Sequence, residues 1–544
     1  MNTEVLPRMD WPAGITLTWC PGEMSPVFDG TGIAGLAARI REPLYLLAAG
    51  GGANTGVGVG GTITASGAGS YRVVGLLPPL YPEWLGDRTF GETHGARFPY
   101  VSGEMANGIA TTSLVIAMAR ADMMGFFGAA GLAPARVAEA VAELGAALPE
   151  RSNWGVNLIH SPAEPDTEAA VADILLARRV PAVSLSAYME LTPAVVRVAA
   201  SGLTCDAQGR IHRRRSVFAK VSRPEVAAHF MAPAPGELLR ELVDRGELTA
   251  QEAELAARVP VAEDITVEAD SGGHTDNRPL TAMLPAVLML RDKMIRHYGY
   301  DRPIRVGAAG GLGTPGSVAA AFSLGAAYVL TGSINQAAVE SGLSTDGKQL
   351  LAGAGAADVA MAPAADMFEL GVRLQVLRRG TLFPFRAERL YQIYSSHTSW
   401  ATVPEPVRVK IEKEWFRASF DDIWAGTRTF WQAREPAQVT RAERDEHHRM
   451  ALVFRWYLGM SSRWAIQGVG ARRGDYQIWC GPAMGAFNQW TEAGFLADPA
   501  NRSVVQIARN LLEGAAVFTR AQQLRSYGVA VPDAAFAFSP RHLP

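Results

Sequence analysis

From residue 98 onward the chain alternates between short apolar runs rich in β-branched or small residues and longer alanine-rich stretches with helical spacing. The short runs fall at 98–103, 123–128, 154–159, 182–188, 216–221, 265–270, 304–310 and 327–333, and helical stretches such as 106–120, 134–148, 167–179, 280–297 and 315–324 lie between them. Eight such units over roughly 240 residues match the size and order of a (β/α)8 TIM barrel, an α/β fold closed on itself. An open doubly wound sheet also alternates, but polar or glycine-rich residues finish nearly every run here, which favours closure with one reactive face.

The regions around the barrel read differently. Residues 1–97 are rich in Gly, Pro and aromatics, with extended runs at 44–48 and 71–77, and predict a β-rich accessory region. Gly56, Gly58 and Gly61 have dinucleotide-fingerprint spacing, but β-branched Thr62, Ile63 and Thr64 follow where a helix should open. Within the barrel span 98–340, a turn signal at 206–210 predicts a small hairpin before the fifth strand. Residues 233–262 predict a helical insertion after the fifth strand, which would serve as a lid or as packing. Residues 341–544 read as an amphipathic helical extension holding eight of the twelve tryptophans.

Bulk properties narrow the class of partner. A formal net charge of -2 with 19% charged residues offers no electrostatic footprint for nucleic acid or an anionic membrane. Three scattered cysteines, Cys20, Cys205 and Cys480, indicate neither a disulfide framework nor a metal site. Every long apolar stretch is broken by charge or proline, and the first residues lack a basic-then-apolar signal, so a cytoplasmic protein is expected.

In such a barrel the reactive groups sit where strands finish. Those positions hold Gly103, Glu104, Met105, Asn157, Ser184, Ser186, Lys220, Asp270, Gly272, Gly273, His274, Gly310, Gly311, Gly332 and Ser333. After the seventh strand, Gly310-Gly311-Leu312-Gly313-Thr314-Pro315-Gly316 opens a helix, and Thr331-Gly332-Ser333 closes the eighth. Together they offer backbone N–H groups where barrels of this kind hold a phosphate. The acidic residue that a dinucleotide site needs at the end of the next strand is missing, so a mononucleotide phosphate is the better match. His274, after a double glycine, is a candidate general acid or base. Lys220 is either a cation for an anionic ring or a salt-bridge partner, and Asn157 either meets a cofactor edge or caps a turn. Neither H-E-x-x-H, G-x-S-x-G, Walker A nor G-H-S-x-G occurs, which removes common hydrolase, nucleotide-hydrolysis and acyltransferase readings.

Six stretches carry a specific resemblance: 155–162, 268–280, 307–313, 331–335, 361–368 and 475–487. They resemble the PfaD-type enoyl reductases, trans-acting components of polyunsaturated fatty acid synthases and trans-acyltransferase polyketide synthases, over about residues 77–531. The family belongs with FMN-dependent nitronate monooxygenase and enoyl reductase barrels, whose Gly-Gly-His motif matches Gly272, Gly273 and His274. What the resemblance implies is FMN with its phosphate near Gly310, Gly311, Gly332 and Ser333 and its ring near Met105, Asn157 and Lys220. Glu104 departs from the small residue expected before that methionine, and adds negative charge near the ring. The implied reaction passes hydride from NADPH through FMN to an enoyl thioester on an acyl carrier protein, with His274 or water as proton donor and a homodimer as a possible assembly. A nitronate-type oxidase, a double-bond isomerase and a non-catalytic docking component are the alternatives.

Overall fold

A computed structural model describes residues 17–49, 54–65, 71–162 and 164–544. The expectation about a leading signal, and parts of the glycine tracts near 50 and 67, lie outside the described residues. Residues Met1–Leu85 with Leu511–Ser539 form one compact unit, and Gly86–Asn510 with Pro540–Pro544 form another.

In the first unit, β1 (Thr18–Cys20), β2 (Leu44–Ala49), β3 (Thr55–Val59), β4 (Thr62–Thr64) and β5 (Tyr71–Leu77) make a sheet in the order β3-β2-β5-β1-β4. The fingerprint-like glycines serve this sheet. A Cβ on Gly58 would lie 2.8 Å from Leu47 Cδ1 and 3.0 Å from the Trp19 ring, so glycine there lets the buried indole pack on the strand.

The second unit holds the barrel. Its strands are β6 (Tyr100–Gly103), β7 (Met124–Phe127), β8 (Trp154–Ile159) and β9 (Ala182–Ser186). After a hairpin of β10 (Thr204–Cys205) and β11 (Ile211–His212) come β12 (Ser216–Val221), β13 (Asp264–Glu268), β15 (Arg305–Ala309) and β16 (Val329–Thr331). A two-residue strand, β14 (Gly273–His274), stands outside the barrel. The eight barrel strands close in the order β12-β13-β15-β16-β6-β7-β8-β9, every pair parallel. All eight predicted runs are barrel strands, and each is buried because helices cover the outside and side chains fill the inside.

Phe126, Phe218, Tyr328 and Phe90 pack together in the core, with Phe90 and Tyr328 stacked at 4.7 Å. Phe90 belongs to the helix Arg88–His94, which plugs the N-terminal end of the strands. There Arg305 grips Asp264 through two bonds of 2.6 and 2.8 Å, and His94 Nε2 lies 3.1 Å from the same carboxylate. All three side chains are buried, so this charged cluster ties β13, β15 and the plug helix together at the face away from the chemistry.

The insertion is two helices, Gly236–Asp244 and Ala250–Ala256. Leu239, Leu242 and Leu255 are buried, Gly202 N donates to Glu252 Oε1 at 2.6 Å, and Arg197 pairs with Glu247 at 3.3 Å. These contacts hold it against the helix Pro193–Ala200.

The C-terminal part is mainly helical but also carries two strands that the sequence did not predict, β17 (Val359–Pro363) and β18 (Arg373–Leu377). They join β14 in an antiparallel sheet ordered β14-β18-β17, with His274 opposite Leu374. Among the described residues no helix is long and apolar enough to cross a membrane.

Candidate active site

At the end of β6 the chain turns through Glu104 with φ 55°, a left-handed conformation unusual for a residue with a Cβ. The turn sends the carboxylate inward. Ser184 Oγ donates to Glu104 Oε1, while Ser186 Oγ donates to Oε2 at 2.8 Å and Asn157 Nδ2 approaches it at 3.4 Å. Asn157 Nδ2 also donates to Ser186 Oγ at 2.8 Å and to the Ser184 carbonyl at 3.1 Å. Lys220 Nζ, at the end of β12, lies 3.6 Å from Glu104 Oε2 and 3.4 Å from Glu268 Oε2. Burial disfavours the lysine's charge, but the two flanking carboxylates outweigh it and hold the ammonium above its ordinary range. Glu104, the departure from the family pattern, is therefore a charge already matched by hydroxyls, an amide and an ammonium.

His274 is reached by a different route. After Gly273, with φ 88°, it pairs in β14 with β18, and its Nε2 lies 3.2 Å from Asp366 Oδ2 in the loop after β17. The imidazole is 45% exposed and only partly desolvated, and the Asp366 carboxylate beside it more than offsets that desolvation and raises its pKa. The neighbouring loop is held by Asp270, whose Oδ1 accepts from Asn277 Nδ2 and Gln375 Nε2, each at 2.8 Å.

The glycines form a tight cradle. Gly310 and Gly311 have φ of 84° and 72°, and a Cβ on Gly311 would enter open space. A Cβ on Gly310 would lie 2.7 Å from the Ala269 carbonyl carbon, and one on Gly332 would lie 3.4 Å from the Gly103 carbonyl oxygen and 4.0 Å from Met105 Sδ. A Cβ on Gly272 would meet Ser333 Oγ and Cys480 N, both at 2.7 Å. Cys480 belongs to a segment that closes over this end, since Gln336 Nε2 donates to the Trp479 carbonyl at 2.6 Å and a Cβ on Gly313 would collide with the Ala483 carbonyl. The helix Pro482–Thr491 starts there, with no side-chain cap on its first turn. Burial pushes the Cys480 thiol up to about 12, so it is not a nucleophile.

The structure thus joins Glu104, Asn157, Ser184, Ser186 and Lys220 in one network, and Gly103, Met105 and Gly332 in close approach. It brings Gly272 to Ser333, and sets His274 apart with its own carboxylate. Glu268, Asp366, Gln375 and Cys480 were not singled out from the sequence, although each except Gln375 lies in one of the stretches that carry the family resemblance.

Residues 397–476 match the family described as acyl-carrier-protein S-malonyltransferase, inserted helical domain. Over 466 residues the chain is 45% identical to a polyunsaturated fatty acid synthase protein of Thraustochytrium sp., covering 84% of this chain and 31% of that protein. Over 445 residues it is 41% identical to the polyketide biosynthesis protein PksE of Bacillus subtilis, covering 82% of this chain and 58% of that protein. The chain therefore spans about a third to three fifths of these relatives.

A closed parallel barrel with charged strand ends and a glycine cradle after its seventh and eighth strands defines a TIM-barrel protein. The enoyl reductase domain of MlnA from the macrolactin cluster of Bacillus amyloliquefaciens shares this architecture at a TM-score of 0.78 and 36% identity, over 82% of this chain and 99% of that one. The chain belongs to the family of PfaD-type enoyl reductases found in polyunsaturated fatty acid and polyketide synthases.

Proposed function

We propose that this chain reduces the 2,3 double bond of enoyl thioesters carried on an acyl carrier protein, using NADPH and bound FMN, during polyketide or polyunsaturated fatty acid synthesis. The observation that carries this reading is Lys220, kept charged between Glu104 and Glu268 at the strand ends that face the glycine cradle. The residues fit FMN on two counts. Open space beyond Gly311 and the close approach at Gly332 leave room for a phosphate among backbone donors, and the uncapped helix at Pro482 adds a favourable dipole end. Gly310, Gly311, Gly332 and Ser333 would hold the phosphate, and Met105, Asn157 and Lys220 would line the ring. When bound, FMN supplies the chemistry of accepting hydride from NADPH and passing it to the β-carbon of the enoyl group.

The chain's own residues do the rest. Lys220 offers fixed positive charge, and its two carboxylate partners keep it in place without a large reorganisation. Glu104, locked by Ser184, Ser186 and Asn157, orients Lys220 and leaves no free carboxylate beside the ring. Asp366 favours the protonated form of His274, and with Nε2 turned to Asp366 the Nδ1 position would hand a proton to the substrate α-carbon. Incubation with NADPH and a crotonyl thioester of pantetheine, followed by mass analysis, tests the proposal. A product that has gained two hydrogens supports it, and unchanged thioester with purified flavin-loaded protein removes it.

A further inference from the structure

The region after β17 contains an exposed surface that the site does not use. Leu382 and Phe385 are 54% and 69% exposed, although they stand at the start of the helix Phe383–Ser396, whose opposite face is buried. They line an open cleft of about 350 Å³ with Arg378, Arg379 and Asp358. Arg389 follows Phe385 by one helical turn, and the Leu382 N–H donates to the Gly474 carbonyl at 2.7 Å, which brings the exposed Arg473 alongside.

The charge here is one-sided. Asp358 is taken up by Arg379 at 3.3 Å and by the Gly355 N–H at 2.8 Å. Glu388 is paired with Arg373, and Asp475 is buried against Arg386. Among the described residues no carboxylate comes within ion-pair distance of Arg378, Arg389 or Arg473, although Asp358 lies near enough to Arg378 to act on it through space. Exposed apolar side chains ringed by arginines without a carboxylate suit an amphipathic partner helix with an acidic rim.

We infer that this patch docks the acidic recognition helix of an acyl carrier protein, a step that rests on the enoyl thioester reading above. The placement fits a tethered substrate. Strand β18 runs from Leu374, opposite His274, toward Arg378, and four residues of strand cover only ~13 Å. A carrier seated on the patch would thus hold its flexible phosphopantetheine arm within reach of the strand that bears His274.

The test compares Arg378→Glu/Arg473→Glu and Phe385→Ser with the parent chain; all three side chains are exposed, so the fold should survive. Binding of a phosphopantetheinylated bacterial acyl carrier protein is followed by fluorescence anisotropy, and turnover is measured on crotonyl carrier protein and on crotonyl pantetheine. Carrier binding and carrier-dependent kcat/KM should fall about tenfold or more, with crotonyl pantetheine turnover unchanged and the deficit shrinking at high salt. Unchanged carrier binding, absent binding by the parent chain, or an equal loss on both substrates would overturn the patch. If the parent chain binds the carrier through these residues yet reduces neither substrate, the docking surface stands and the enoyl reductase reading falls.

Discussion

Lys220 Nζ lies 3.6 Å from Glu104 Oε2, joining the ends of β12 and β6 by an ion pair across the barrel mouth. That carboxylate also accepts from Ser184, Ser186 and Asn157, so one left-handed residue fixes four strand ends at once. Glu104→Ala leaves a lysine between fewer partners and the Ser184 and Ser186 hydroxyls without their acceptor. It should cost about 3 kcal/mol in urea unfolding and lower kcat. Glu104→Gln should recover part of the stability and less of the rate, because its one amide oxygen can still accept from a serine hydroxyl, while its NH2 group cannot accept and the charge is gone.

The proposed role of His274 predicts an activity that depends on pH through its pairing with Asp366. Asp366 raises the folded imidazole's pKa above its ordinary value of 6.5, so the stabilisation is fully present below that value and is lost as pH rises through the folded pKa. Asp366 is largely exposed, and His274 outweighs its partial desolvation and lowers the carboxyl's pKa, so its share, reduced by solvent screening, is present above the ordinary carboxylate range and is lost as pH falls. Asp366→Asn should therefore move the basic limb of the kcat/KM profile to lower pH, while a profile that stays in place would free His274 from its partner.

Gly272→Ala puts a methyl group within 2.7 Å of Ser333 Oγ and Cys480 N. The barrel has no need of that loop for its core. The variant should fold, with normal circular dichroism, and bind added FMN roughly tenfold or more weakly, as a loss of ~1.4 kcal/mol would give.

At the opposite face, Asp264→Asn removes the charge that Arg305 and His94 share. Because the cluster is buried, the expected loss is ~3 to 5 kcal/mol of unfolding free energy. Flavin content and kcat of the remaining folded protein should match the parent, which separates this stabilising cluster from the charged cluster at the mouth.

Much of this architecture was legible in the chain because barrel strands are local signals: each is a short apolar run ending in polar or glycine residues. Glu104, Asn157, Ser186 and Lys220 could be named from those endings. Their arrangement could not, since it depends on partners 27 to 116 residues apart in sequence that meet only after closure. Strands β17 and β18 escaped notice because Val359–Pro363 and Arg373–Leu377 sit among helical segments and pair with each other and with the two residues of β14 only in the folded chain. For the same reason Asp366 gave no sign of facing His274, 92 positions earlier. The insertion's role was open because its amphipathic helices would look the same over the mouth or against the flank.

The central claim is that the chain reduces enoyl thioesters through a bound flavin. The most direct measurement is an anaerobic absorbance trace of the purified protein, reduced with NADPH and then mixed with crotonyl pantetheine. The account predicts that the yellow colour bleaches and then returns as butyryl thioester forms, with the return slowed in His274→Ala. Colour that returns only when oxygen or a nitronate is admitted, or a protein that holds no flavin to bleach, would contradict it.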